Sequence, residues 1–86
     1  MGTIVKYLVD GEWVVQPQAP HEAERAGWYR GVEYGSMFDV TNEFLFDDFK
    51  DWCEKTFERG TYAIFIRNSW FLNERDAVLS RLKWAS

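Results

Sequence analysis

Thr3 to Val9 (TIVKYLV) is rich in β-branched and aromatic residues, and Glu12 to Val15 (EWVV) resumes the pattern after Asp10-Gly11. Asp-Gly suits the two left-handed positions of a tight hairpin turn, so the chain is expected to open with a β-hairpin. Gln16 to Ala19, with Pro17 and Pro20 at hand, reads as a loop. His21 to Ala26 can make one or two helical turns, ended by Gly27. From Gly27 to Gly35 the glycines are spaced every four residues among Trp28, Tyr29 and Tyr34. That spacing predicts turn glycines in a loop that carries aromatic side chains. Met37 to Val40 reads as a strand.

Thr41 or Asn42 can cap a helix that runs to about Phe57, since either side-chain oxygen would accept from first-turn amides. Leu45, Phe49, Trp52 and Cys53 form its apolar stripe, widened by Phe46 and Phe57. Gly60 stands where a left-handed C-terminal cap is expected. Thr61 to Arg67 then alternates, with Tyr62, Ile64 and Ile66 on one side and Ala63, Phe65 and Arg67 on the other. Asn68-Ser69 can turn the chain into a partner strand at Trp70 to Leu72. Asn73 with Asp76 resembles a capping box opening a last helix, with Val78, Leu79 and Leu82 on one face and Trp84 at its end. The expected fold is α+β: an N-terminal hairpin, then β-α-β-β-α. In it a small antiparallel sheet carries two helices on one face and is partly ferredoxin-like.

A chain of 86 residues is expected to form one domain. Its composition is globular, but aromatics are abundant at 5 Trp, 4 Tyr and 7 Phe. A core this small is not expected to bury every ring, so several should be partly exposed and available to a partner. Trp28, Tyr29 and Tyr34 are the candidates.

Net charge is −4, which argues against non-specific nucleic-acid binding. The charge is uneven: residues 39–58 carry −5 and residues 59–86 carry +3. Glu43, Asp47, Asp51, Glu54 and Glu58 recur at three- and four-residue steps. Such a ladder puts carboxylates on one helical face roughly 5–6 Å apart, a spacing comparable with that of phosphates along a strand. This face is the candidate surface for a basic partner; an ordinary solvated helix face would show the same pattern.

Other chemistry is thin. His21 is the single histidine, with no nucleophile or orienting carboxylate fixed by spacing. Cys53 is the single cysteine and lies on an apolar stripe among acids, the setting of a core residue rather than a nucleophile. Two such ligands cannot build a zinc cage, and no phosphate-binding glycine motif is present. No metal or cofactor is therefore expected, and no enzymatic activity, because paired carboxylates on a convex helix lack a concave site. Arg59-Gly60-Thr61-Tyr62-Ala63-Ile64-Phe65-Ile66 approaches the RNA-recognition signature but puts Thr61 and Ala63 where base-stacking aromatics belong. The alternative expectation is a single-stranded nucleic-acid module using Arg67, Trp70, Arg81 and Lys83. A third is a homodimer that buries surplus aromatics. The opening MGTIVK lacks the apolar run of a signal peptide, Lys6 stands where a myristoylation signal has Ser or Thr, and no long apolar run occurs. A cytoplasmic location without membrane contact is expected.

The segment Asp51-Trp52-Cys53-Glu54, the strand after it, Trp70-Phe71-Leu72 and the ending Glu74-Arg75-Asp76-Ala77-Val78-Leu79-Ser80-Arg81-Leu82-Lys83-Trp84 resemble small proteins of tailed bacteriophages. Those proteins end in Asp-Ala, three or four residues, then Leu-Lys/Arg-Trp on a short helix. The resemblance covers the C-terminal half, and Ser80-Arg81 stands where the pattern has Phe. It implies a protein of the host bacterial cytoplasm that binds and inhibits a host polymerase, nuclease or defence system, with nucleic-acid mimicry as one route. In such an ending Ala77 allows close helix–sheet packing, Leu82 fills the core and Trp84 seals its edge.

Overall fold

The computed structural model describes residues 4–34 and 46–84. Along the chain run β1 (Lys6–Val9), β2 (Glu12–Val15), α1 (Pro20–Arg25), β3 (Tyr29–Glu33), α2 (Phe46–Thr56), β4 (Tyr62–Ile64), β5 (Asn68–Phe71) and α3 (Glu74–Trp84). The expected strand Met37–Val40, the cap at Thr41 or Asn42, and Leu45 lie outside the described residues. The fold is α+β, with an antiparallel β1–β2 hairpin and an antiparallel three-stranded sheet in the order β3-β5-β4. Since β5 is antiparallel to both neighbours, β3 and β4 run the same way with β5 between them. This is a split β-α-β crossover through α2.

Local chemistry explains the ends of the elements. Asp10 (φ 51°) and Gly11 (φ 82°) are both left-handed, as a two-residue hairpin loop requires. Pro20 opens α1, where its missing N–H costs nothing. Gly27 (φ 82°) closes α1: its N–H donates to the Glu24 carbonyl, and the Trp28 N–H donates to the Ala23 carbonyl at 2.9 Å. This 6→1 and 5→2 pairing satisfies two terminal carbonyls and turns Trp28 back onto Ala23.

The sheet is covered on both faces. Phe71 of β5 and Tyr62 and Ile64 of β4 meet Phe49 and Cys53 of α2 and Ala77 and Trp84 of α3. Rings connect this side almost without a break, from Phe46–Tyr34 (5.4 Å) through Phe49–Trp84 (5.6 Å) and Trp52–Phe57 (5.2 Å) to Phe57–Phe71 (5.1 Å). On the other face Trp70 and Ala63 lie with Trp28 under α1 (Ala23) and the hairpin (Val14). The alternation expected from Tyr62 to Phe65 holds. Several rings are part-exposed, among them Trp52, Phe57 and Trp84, as their number suggested.

Several expectations need correction. The stretch after Gly27 is not a loop, because Tyr29–Glu33 is a strand paired with β5. Gly31 is no turn glycine: a methyl there would collide with the Phe71 ring and sit 2.7 Å from the Ser80 hydroxyl oxygen. It marks a close approach of helix to strand. Gly60 is not a helix cap, since α2 ends at Thr56. It is left-handed (φ 94°) in the following turn, closed by the Thr61 N–H on the Glu58 carbonyl at 3.1 Å. The β4–β5 hairpin turns at Ile66-Arg67, not at Asn68-Ser69. Those two are strand residues because β5 pairs on both sides, and the Tyr34 N–H also reaches the Arg67 carbonyl at 3.0 Å.

A further correction concerns α3. Its buried residues are Ala77 and Ser80, while Val78, Leu79 and Leu82 are exposed, Leu82 at 77%. Leu82 therefore does not fill the core. The cause lies in β3, which slips by one residue against β5 between Arg30 and Glu33. A bulge leaves backbone groups outside the ladder. The Val32 N–H donates to Ser80 Oγ at 3.1 Å, and the Val32 carbonyl accepts from Ser69 Oγ at 3.0 Å. Only a small hydroxyl over a glycine can come that near, so the small face of α3 turns inward. Asn73 precedes the helix, but its amide meets the Asp76 carboxylate at 3.4 Å, so the reciprocal capping box is not formed.

Replacing Gly31 by Ala is expected to destabilise the fold by about 3 kcal/mol through overpacking. Gly27→Ala, with open space around it, should cost about 1 kcal/mol from the left-handed φ alone. Urea unfolding of both variants checks the order.

Candidate partner-binding surface

The face of α2 opposite Phe49 and Cys53 carries the carboxylates. Phe49 and Cys53 anchor one side in the core, so the helical period turns Asp47, Asp51 and Glu54 to solvent. Asp51 pairs with Lys55 four residues on, at 2.9 Å, and this hydrogen-bonded ion pair pushes the Lys55 ammonium pKa up. Among the described residues no ion pair engages Asp47, Asp48 or Glu54. Glu43 lies outside the described residues. Glu58 is exposed but does not continue the helical ladder, because α2 stops at Thr56 and residues 58–61 turn.

Glu54 also lines a polar cleft of about 270 Å³ with Tyr7, Gln16, Arg59, Gly60 and Tyr62. The hairpin builds one wall. Gln16 Nε2 donates to the Tyr62 carbonyl at 2.9 Å, capping the outer edge of β4. Tyr7 lies directly on Gly60, where a methyl would strike its Cβ and ring. The Arg59 guanidinium sits 5.8 Å from the Tyr7 ring centre. Burial above all, with the nearby Glu54 carboxylate, raises the Tyr62 hydroxyl pKa, against the lowering effect of Arg59. The acidic face thus ends in a cleft with one carboxylate, one guanidinium and two phenols.

The candidate aromatics divide. Trp28 and Tyr34 are buried at 6% and 4% exposure, while Tyr29 is exposed at 43%. Trp28 is held under α1, and the Tyr34 hydroxyl lies against the Phe65 and Asn68 carbonyls, tying β3 to the β4–β5 turn. Neither is free to meet a partner. The exposed ring that sequence reasoning missed is Trp13, at 69%, paired across the hairpin with exposed Leu8. The outward parity of Leu8 and Trp13 was the available signal.

The basic candidates are not brought together into a stacking platform. Trp70 is buried against α1, donates its indole N–H to the Asn68 Oδ1 at 3.1 Å, and has Arg30 over its ring. It cannot stack on a base, because α1 and the hairpin occupy the sheet face that such binding needs. Arg67 is in the β4–β5 turn, whereas Arg81 and Lys83 are on α3, with Lys83 about 6 Å from the Trp52 and Trp84 rings.

Among the described residues no group of three or more His, Cys, Asp or Glu side chains converges as a metal site would, and no helix is long and apolar enough to cross a membrane. His21 is exposed on α1. Cys53 is fully buried, and burial pushes its thiol pKa up to about 12. No protein-family model, curated protein or solved structure matches the chain.

A raised thiol pKa means that folding favours the neutral form. Its stabilising effect is complete below the ordinary thiol range near pH 9 and is lost as pH rises towards about 12. Urea midpoints should therefore fall over that interval, and less so in Cys53→Ser. At pH 8 a disulfide reagent should label the native thiol more than about a hundred-fold more slowly than the unfolded one.

Proposed function

We propose that the protein is a non-catalytic, phage-encoded binder that inhibits or modulates a host macromolecule with a basic surface. Asp47, Asp51 and Glu54 present charge in the manner of a nucleic-acid mimic. One observation carries the proposal: these three carboxylates face solvent on a helix whose other side is locked into the aromatic core, and among the described residues only Asp51 of the three has an ion-pair partner. Long-range attraction to such a face accelerates encounter and falls with salt.

The cleft at Glu54 supplies the short-range part. A lysine or arginine of the partner that follows the acidic face would arrive at Glu54 between Tyr7 and Tyr62. Tyr29 and Trp13, the exposed rings, replace Trp28 and Tyr34 as the aromatic contact area. A nucleic-acid-binding role receives no support from the basic residues, since Trp70 is covered.

The test is affinity capture from nuclease-treated bacterial lysate with the wild-type protein and with the triple variant Asp47→Lys, Asp51→Lys, Glu54→Lys. The wild type is expected to retain one stoichiometric protein at low salt and release it at about 0.5 M salt. The triple variant should bind that protein about ten-fold or more weakly. Equal binding by a folded triple variant would remove the acidic face from the mechanism.

A further inference from the structure

We propose that the cleft beside Glu54 binds a zwitterionic amino-acid group, a single ligand that brings its cation to Glu54 and its carboxylate to Arg59. The cleft is polar and encloses about 270 Å³, and its charged lining is Glu54 and Arg59, one of each sign. Both side chains are exposed, and neither takes part in an ion pair among the described residues, so they are too far apart to neutralise each other. Both nonetheless act on the same phenol: Glu54 raises the Tyr62 hydroxyl pKa and Arg59 lowers it. Two opposite charges thus stand within reach of one small space.

The pairing of signs selects the ligand. A lone cation drawn to Glu54 is repelled by Arg59, and a lone anion drawn to Arg59 is repelled by Glu54. A group that carries both charges gains both attractions. The neighbouring charges lie outside the lining: Lys50 and Glu58 are exposed, and Lys55 pairs with Asp51 at 2.9 Å and reaches Glu54 only through space. The inference rests on the reading of Glu54 as the place where a cation arrives, and adds that Arg59 calls for an anion on the same ligand. Such a ligand is the terminal lysine or arginine of a partner chain, or a free amino acid.

The fold holds the cleft in place before anything binds. Cys53, beside Glu54, is fully buried. The Arg59 guanidinium sits 5.8 Å from the centre of the Tyr7 ring, and Tyr7 rests on Gly60. The turn that carries Arg59 is closed by the Thr61 hydroxyl and amide, which donate to the Glu58 carbonyl at 2.6 and 3.1 Å. Little ordering is therefore left to the ligand. The volume falls below the roughly 300–1,000 Å³ of drug-sized sites, which suits a group of one residue. Exposed ion pairs are weak in water, so the affinity is expected near about 1 mM.

Titrations at low salt, followed by the backbone amide NMR signals of Gly60 and Tyr62, test this. Nα-acetyl-lysine carries both charges as a chain end does, and norleucine carries both as a free amino acid does. Nα-acetyl-lysine amide is the cation alone, and Nα-acetyl-norleucine the anion alone. At least one zwitterion should bind about ten-fold or more tighter than either singly charged probe, and which one does so identifies the source. Arg59→Gln should weaken the zwitterion and strengthen the lone cation. Glu54→Gln should weaken the zwitterion and strengthen the lone anion. A merely structural role would move every probe the same way. The proposal is overturned if neither zwitterion gives a saturable shift up to about 50 mM, if a singly charged probe binds as tightly as the zwitterions, or if Arg59→Gln affects all probes alike. The probes do not require Asp47 or Asp51, so failure here leaves the acidic face to the lysate capture, and failure of that capture leaves the cleft to these titrations.

Discussion

The contact of Ser80 with the bulged backbone of β3 organises the molecule. The bulge puts Val32 out of register with β5 and leaves its amide and carbonyl without ladder partners. Two buried serines supply them, one from α3 and one from β5. An unsatisfied buried backbone group costs about 1–3 kcal/mol, so neither serine can be exchanged for a hydrophobe of similar size without loss. The hydroxyl must come within hydrogen-bond distance of the strand, and that demands Gly31 beneath it. From this one crossing follow the inward small face of α3 and the placement of Trp84 over Phe49 and Trp52. The slipped register also aligns β3 with the β4–β5 turn, where Tyr34 fastens it.

What could be read from the sequence divides along the same line. The hairpin was legible because Asp10-Gly11 encodes its turn locally. The body of α2 was legible because Phe49, Trp52 and Cys53 recur at the helical period, and its acidic face followed from that period. Gly27 stopped α1 as expected, for its left-handed φ is a local requirement. Gly31 was misread because a glycine that clears space for Phe71 and Ser80 looks the same in sequence as a turn glycine. In α3 two stripes compete, Val78-Leu79-Leu82 and Ala77-Ser80. Hydrophobicity favours the first, but the partner strand, distant in sequence, selects the second. Trp28 and Tyr34 were misplaced for the same reason. Tyr34 is buried by the β4–β5 turn, and Trp28, although turned back onto nearby Ala23, is enclosed by Ala63 and Trp70 of strands distant in sequence.

The acidic surface has a structural cost that the core must offset. Asp47 and Asp48 sit in the first turn of α2, where the helix dipole favours them. Asp51 and Glu54 lie further along and gain less, and the like charges at 47, 51 and 54 repel by a few tenths of a kcal/mol per pair. Lys55 pairs directly with Asp51 and reaches Glu54 only through space. Eleven residues with these charges would be marginal as an isolated helix. Packing of Phe46, Phe49, Trp52 and Cys53 against the ring cluster supplies the stability instead. The carboxylates are thus held on a rigid support, with Phe49 and Cys53 fully buried beneath them.

That division of labour bears on binding. A flexible acidic segment would lose conformational entropy on meeting a basic surface, whereas side chains fixed on a packed helix lose less. The electrostatic attraction is then spent on association rather than on ordering the site.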